Sequence, residues 1–275
     1  MTTTLPPSND SLSLSLGLEA SLRDLRVAAP ASVGYGALVE AGLADRYATI
    51  ETPLGLVFVA WNGRGVSWVT PASDRGDFEL RFRVTVGREV QAADALPDAL
   101  SGAIRRRLDG DRRARISLDL RGHTPFEIAV WTKALEIPRG EVRPYGWIAA
   151  EIGKPKAVRA VGTALAHNPV PLVVPCHRVV RSDGMIGQYS MGGPDAKRRI
   201  LAAEGLDTRA LEAEAATGVR YTGSDTTHIV CHTTCRDARR VTARHRVTFP
   251  SLAAAANAGY RPCRHCRPVS LARAA

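Results

Sequence analysis

Two groups of residues in this 275-residue chain have the types and spacing to do chemistry. The first is Cys176-His177, inside the run Pro175-Cys176-His177-Arg178-Val179-Val180. A thiol is a strong nucleophile only as thiolate, and a neighbouring imidazole can take its proton. Adjacent side chains of a regular strand point to opposite faces. Cooperation of the pair therefore needs a break in the strand or an intervening water. Pro175 before the pair and Arg181-Ser182-Asp183-Gly184 after it suit such a break. On the dipeptide alone, a buried cysteine beside an incidental histidine is the better reading, because free cysteine is commonly core. The second group is Cys231-x-x-x-Cys235 and Cys263-x-x-Cys266, with 27 residues between the pairs. Two close thiol pairs are the ligand pattern of a tetrahedral structural zinc site. His228, His232 and His265 are alternative ligands at this level. An odd cysteine count without a secretion signal argues against a disulfide framework and leaves Cys176 outside the quartet.

Charge narrows the partner. Lys and Arg number 37 against 27 Asp and Glu, a formal net charge of +10, which favours a polyanion such as nucleic acid. Only Lys133, Lys154, Lys156 and Lys197 are lysines, and the arginine fork suits phosphates better. From Gly218 onward ten arginines face only Asp225 and Asp237, a net of +8 in the last fifth of the chain. A short arginine-rich segment with little core gains most from a metal staple. No run approaches the roughly 18 apolar residues of a membrane helix. The first ten residues lack a basic region before an apolar core, so they do not read as a signal peptide. A cytoplasmic protein with no membrane partner is expected.

The elements that must position these groups follow from patterning. Residues 1–44 form an extension with no assigned function; 11–16 alternate like a strand, and Leu18, Leu22 and Leu25 have helical spacing. Residues 47–51, 54–61 and 65–70 read as strands, with Asn62-Gly63 as a hairpin signal. Residues 78–86 fit a strand or a helix, 95–108 a helix and 116–120 a strand. Residues 45–121 thus form a small α/β scaffold without a catalytic constellation. Thr124, Pro125 and Glu127 are a cap sequence for a helix over 126–135. Helices over 145–152, stopped by Gly153, and 156–166, after Pro155, read as a helix-turn-helix. The second of these is small along Ala157, Ala160, Gly162, Thr163 and Ala164, with Arg159 its one long cation. Small faces usually mean tight packing inside a protein; in a chain this basic, the face also fits a DNA groove with an inserted arginine. Residues 209–217 read as a helical linker.

Beyond this, the chain resembles the O6-alkylguanine-DNA alkyltransferases. The resemblance rests on Tyr145, Ala157-Val158-Arg159-Ala160-Val161-Gly162, Asn168-Pro169-Val170-Pro171, the Pro-Cys-His-Arg run, Gly187-Gln188-Tyr189-Ser190 and Ala203-Glu204-Gly205, in the family's order and spacing. It implies an α/β protein with a ribonuclease-H-like N-terminal domain over 45–121 and a helical winged helix-turn-helix alkyltransferase domain over 124–207. It implies repair of double-stranded DNA by one irreversible transfer of a methyl or alkyl group from guanine O6 to Cys176, after the nucleotide is flipped out, by a monomer and without a cofactor. Cys176 is then the nucleophile, His177 its base through a water, and Glu204 the group that orients and charges the imidazole. Tyr145 presses on the 3′ phosphate and protonates the leaving guanine, and Asn168 ties the helix-turn-helix to the active-site loop. Arg159 fills the vacated space in the duplex, with Ala160, Gly162 and Thr163 along the DNA. Val179, Tyr189 and Ser190 form the base pocket. Met191 is inserted into the family's Tyr-Ser-Gly-Gly pattern, which bears on the alkyl size admitted.

The run from Ala253 to Cys266, with Val247-Thr248-Phe249 before it, resembles the zinc-binding domain of the Ada response protein. This implies zinc on Cys231, Cys235, Cys263 and Cys266 in a small α+β module over 218–270 that contacts DNA, with 208–217 as linker. In that family the module precedes the alkyltransferase; here it follows. Methyl uptake from phosphotriesters would map onto Cys231, but its surroundings, His228-Ile229-Val230-Cys231-His232-Thr233-Thr234-Cys235, depart from the family's, and a structural zinc is favoured. Two other readings compete: an Ada-type alkylation sensor that regulates transcription, and a cysteine hydrolase using Cys176, His177 and Glu204.

Overall fold

Residues Val57-Phe58-Val59-Ala60-Trp61 are apolar at every position, and such a strand must be covered on both faces. The computed structural model, which describes residues 31–269, covers it in that way. Strands β1 (Ala44–Thr52), β2 (Gly55–Asn62), β3 (Gly65–Pro71) and β4 (Glu89–Ala92) form a sheet in the order β3-β2-β1-β4. β4 runs parallel to β1 and the other pairs are antiparallel. Helices α1 (Ala31–Glu40), α2 (Arg75–Val86) and α3 (Asp98–Leu108) accompany it. Tyr47, Phe58 and Ala60 pack with Phe78 and Phe82 of α2. The alternate residues Ala48, Val57, Val59 and Trp61 enter the main core, shared with the following segment. A one-residue slip would exchange the two sets, so the register is strongly specified.

The ambiguous stretch 78–86 is helical, because Asp74 caps α2 by accepting from the Asp77 amide and Gly87 ends it in the left-handed region. The hairpin after β2 turns on Gly63-Arg64 rather than Asn62-Gly63: Asn62 pairs with Gly65, and its Oδ1 accepts from the Arg64 amide. The strand expected over 116–120 is reduced to one bridge, Leu118 to Val66. The reason is Asp119, which turns inward to accept from Asn62 at 2.8 Å and to face Arg88 at 3.0 Å.

Helix α4 (Pro125–Ala134) carries the full capping box of Thr124 and Glu127. α5 (Tyr145–Glu151) and α6 (Val158–Ala166) follow. α6 begins two residues later than expected because a turn bonds the Ala157 amide to Lys154. β5 (Arg143–Pro144) pairs in parallel with β6 (Val179–Val180). α7 (Gly193–Ala203) precedes α8 (Thr208–Ala216), the stretch expected to be a linker. α8 is more than a connector: its Leu211 is buried with Val142, Val180, Ile186, Leu201 and Leu206.

The C-terminal unit is a small sheet of β7 (Tyr221–Ser224), β8 (Ile229–His232), β9 (Arg246–Phe249) and β10 (Arg261–Pro262), in the order β10-β8-β7-β9. Two short helices, α9 (Arg236–Arg239) and α10 (Leu252–Asn257), complete it. Gly223 is required in β7, because a Cβ there would lie 2.6 Å from the Tyr260 ring. The strand and helix expected within 11–27 lie outside the described residues. Among those described, no helix is long and apolar enough to cross a membrane.

Candidate active site

Cys176-His177-Arg178 form one 3-10 turn between Pro175 and β6, the break that the pair required. The Cys176 amide donates to Val174 O at 2.8 Å. The preceding apolar run is folded into the core, with Val170, Leu172, Val173 and Val174 all buried. Leu172 has φ 72, a costly conformation for a branched side chain that the surrounding burial must enforce. The scaffold sheet pins the start of this loop, the Val69 amide of β3 donating to Pro169 O at 2.8 Å. Asn168 organises its interior. Its Nδ2 donates to Val174 O at 3.1 Å and to Cys176 Sγ at 3.2 Å, while its Oδ1 accepts from the Val170 amide.

His177 is fully buried, and its Nε2 lies 2.9 Å from Glu204 Oε1. Nδ1 has no hydrogen-bond partner among the described residues. Glu204, at the end of α7, also accepts from the Arg178 guanidinium at 2.7–3.1 Å and from the Gly140 amide at 3.2 Å. Burial opposes its ionisation, but His177 and Arg178 outweigh that and hold it down at about 2. Burial pulls His177 below its ordinary value, partly offset by Glu204. The Cys176 thiol is pushed up by burial; the Asn168 amide and the nearby Lys197 ammonium work in the other direction. Tyr145 and Tyr189 are raised by burial and then by the facing Cys176. The Tyr189 ring also meets His177 edge-on at 6.0 Å.

Thus Cys176, His177, Glu204, Asn168, Tyr145 and Tyr189 converge, and buried Val179 follows directly on the turn. Ser190 is exposed beside the buried Met191. Arg159, Ala160 and Thr163 face solvent on α6, and nothing lies within 4 Å of a Cβ placed on Gly162. Internal packing therefore does not account for the small face; of its members Ala164 alone is buried. Two further residues belong to the site, Arg178 and Lys197. Arg178 clamps Glu204 and donates to Ile137 O. Lys197, 1% exposed, donates to Val179 O at 2.6 Å and Gln188 O at 3.2 Å and lies over the Tyr145 ring. Burial lowers it to about 8. The available signal was spacing: Lys197, Ile200, Leu201 and Glu204 share one helical stripe, so two charges sit among buried apolar positions.

In the C-terminal unit the sulfurs of Cys231, Cys235, Cys263 and Cys266 lie within 4.8 Å of one another, and all four residues are buried. Crowded together, the thiols do not titrate independently: Cys231 and then Cys266 hold Cys235 far below the ordinary thiol value. Cys231 is pushed far up by those same hydrogen-bonded neighbours. Four such sulfurs can all ionise only around a cation, so the donor set fits a tetrahedral metal. None of the alternative histidines belongs to this group. His228 packs on Tyr260, His232 on Tyr221, and His265 clusters with Glu141 and Cys235.

Two family models match the chain, one over each of these regions. Residues 125–206 match the family model of the 6-O-methylguanine DNA methyltransferase DNA-binding domain, and 208–269 that of the metal-binding domain of Ada. A Methanosarcina acetivorans methylated-DNA–protein-cysteine methyltransferase is 34% identical over 161 residues, 58% of this chain and 97% of that protein. The Mycobacterium tuberculosis protein of that name is 51% identical over 89 residues, 32% of this chain and 53% of its own length. The chain thus spans about half the length of such mycobacterial relatives. The crystal structure of Mycobacterium tuberculosis OGT in complex with DNA is 32% identical, with a TM-score of 0.49 over 61% of this chain and 99% of that one. These similarities define a class of proteins named for a cysteine that accepts methyl groups from DNA. The chain belongs to the methylated-DNA–protein-cysteine methyltransferase family.

Proposed function

We propose that this protein repairs double-stranded DNA by moving a methyl group from guanine O6 to Cys176, once per molecule. The observation that carries the reading is the buried His177–Glu204 contact at 2.9 Å, beside a thiol held by Asn168. Glu204 stays ionised at working pH, so His177 Nε2 keeps its hydrogen and Nδ1 presents a lone pair. His177, kept neutral by burial, takes the thiol proton at Nδ1 through a water. Lys197 and Asn168 then stabilise the thiolate. The new S–C bond forms as the C–O6 bond breaks, and its electron pair passes to guanine. Tyr145, raised and therefore protonated, donates to that base. No cofactor enters this step. The target atom lies in the base stack, so the nucleotide is flipped out. Arg159 fills the gap, with Ala160, Gly162 and Thr163 against the duplex. Val179, Tyr189 and Ser190 receive the base.

Further parts of the reading rest on architecture. The β3-β2-β1-β4 order of the 45–121 sheet supports a ribonuclease-H-like scaffold. α5 and α6, with the strands around them, support a winged helix-turn-helix. The four cysteines hold a structural zinc, which would bind the chain ends of the C-terminal module together. Its arginines add DNA contacts. A cytoplasmic monomer completes the reading. The sensor and hydrolase readings lose ground because the curated relatives are named as methyltransferases.

The test is a count. With excess duplex containing O6-methylguanine, one guanine is restored per protein molecule and the reaction stops; continued turnover contradicts the reading. Arg159→Ala should slow transfer from duplex about tenfold or more, the cost of an unfilled flip, and leave transfer from the free base unchanged. Equal loss on both substrates would contradict the role of Arg159. Stripping the metal, or Cys235→Ser, should abolish amide-exchange protection of β7 and β8. Unchanged protection would contradict the structural zinc.

A further inference from the structure

The C-terminal unit and the active site both bear on one short segment, residues 140–143. The C-terminal unit grips it residue by residue. Arg239 donates to Gly140 O at 3.1 Å, and the Arg236 amide donates to the buried Glu141 carboxylate at 3.1 Å. The Thr234 hydroxyl accepts from the Val142 amide at 2.9 Å and lies 3.3 Å from Val142 O. Thr234 and Arg236 flank Cys235, one of the four clustered cysteines, so the grip is built on the metal site itself. Trp147 of α5 adds a bond to Cys266 O at 3.1 Å.

The other side of the same segment supports the relay. The Gly140 amide donates to Glu204 Oε2 at 3.2 Å. Gly140 sits at φ 71, and a Cβ there would lie 3.2 Å from Glu204 O, so the approach suits glycine. Arg143 pairs with Val179, the residue that follows the Cys176–Arg178 turn. Arg143 also forms a buried ion pair with Glu141. Segment 140–143 is therefore held from one side by the residues around Cys235 and itself holds Glu204 and the nucleophile's turn from the other.

We propose that the cysteine-rich module positions the methyl-transfer relay: Thr234, Arg236 and Arg239 act through segment 140–143 on Glu204, making the metal site and the active site one mechanical unit. The proposal rests on the alkyltransferase reading above. It places in the module a task separate from any contact it makes with DNA. Replacing Thr234 by valine keeps its shape but leaves the buried Val142 amide unpaired, so the segment must shift to find a partner.

The test uses the full, zinc-loaded chain and the free base O6-methylguanine, which has no phosphates for arginines to bind. Thr234→Val and Arg239→Ala are compared with Asn257→Ala, an exposed residue of the same module away from the segment. Thr234→Val should keep its zinc and slow methylation of Cys176 about tenfold, as expected for loss of a buried hydrogen bond. Arg239→Ala, at the surface, should slow it less while folding normally, and Asn257→Ala should match wild type. In a Glu204→Gln background both losses should largely vanish, because coupled residues are not additive. Wild-type rates in both variants, or losses that multiply with that of Glu204→Gln, overturn the proposal. If the wild-type chain methylates no cysteine, the alkyltransferase reading is what fails. The positioning is then read from the rate at which iodoacetamide alkylates Cys176: a slower rate in Thr234→Val supports it and an unchanged rate overturns it.

Discussion

Cys176→Ser should bind duplex containing O6-methylguanine as wild type does and accept no methyl group. The site is built to make a thiolate, not an alkoxide. Burial already pushes the Cys176 thiol up, and Asn168, Lys197 and the turn amides only partly recover it. A serine hydroxyl ionises far less readily, and neutral His177 is too weak a base to compensate. Serine nearly matches cysteine in shape, so the packing around Val174 and Val179 persists and stability should change by about 1 kcal/mol or less. Binding by gel shift and transfer by labelled substrate separate the two effects. Methyl uptake by the serine variant at even a hundredth of the wild-type rate would contradict the role of Cys176.

Glu204→Gln should be the most damaging change that leaves the nucleophile intact. Its carboxylate is the anion for both His177 and the Arg178 fork, with side chains 4% and 8% exposed at Glu204 and Arg178. The amide leaves Arg178 buried without a counter-charge, a loss of about 3–5 kcal/mol. It also removes the charge that favours a protonated His177, slowing transfer about a hundredfold or more. The pH dependence follows from the same contact. Glu204 is held at about 2 against an ordinary 4.5, so its stabilisation is complete above about 4.5 and lost as pH falls towards 2. That contribution is about 3 kcal/mol at neutral pH. Denaturant titrations at pH 7 and pH 3 should show the wild-type chain losing more stability than Glu204→Gln over this interval. Parallel losses in the two proteins would contradict the assignment.

What was legible in the sequence was local. Thr124, Pro125 and Glu127 specify a cap within four residues, and the α4 capping box formed as written. Pro175 and the polar run after Arg178 required a break at Cys176, and the break is the 3-10 turn. The cysteine spacing pointed to four ligands, and the four sulfurs cluster. What was not legible depends on burial and long-range pairing. Arg178 and Lys197 belong to residue types that are mostly exposed, and only the fold encloses them. Asp119 interrupts a plausible strand because Asn62 and Arg88 offer better partners than a sheet ladder. The α8 stretch is polar enough to pass for a linker, yet a few apolar residues suffice to seat it. The grip of Thr234 on Val142 joins residues 92 apart, and neither residue type advertises it.

The proposed chemistry centres on Cys176-His177, and its most direct test is a peptide map. The full zinc-loaded protein is reacted to completion with duplex carrying O6-methylguanine as its sole modification, digested, and every cysteine peptide is weighed. The prediction is a single methyl on the Cys176 peptide, in one equivalent per chain, with Cys231, Cys235, Cys263 and Cys266 unmodified. A methyl found on any of those four, or an unmodified Cys176 after guanine has been restored, would contradict it.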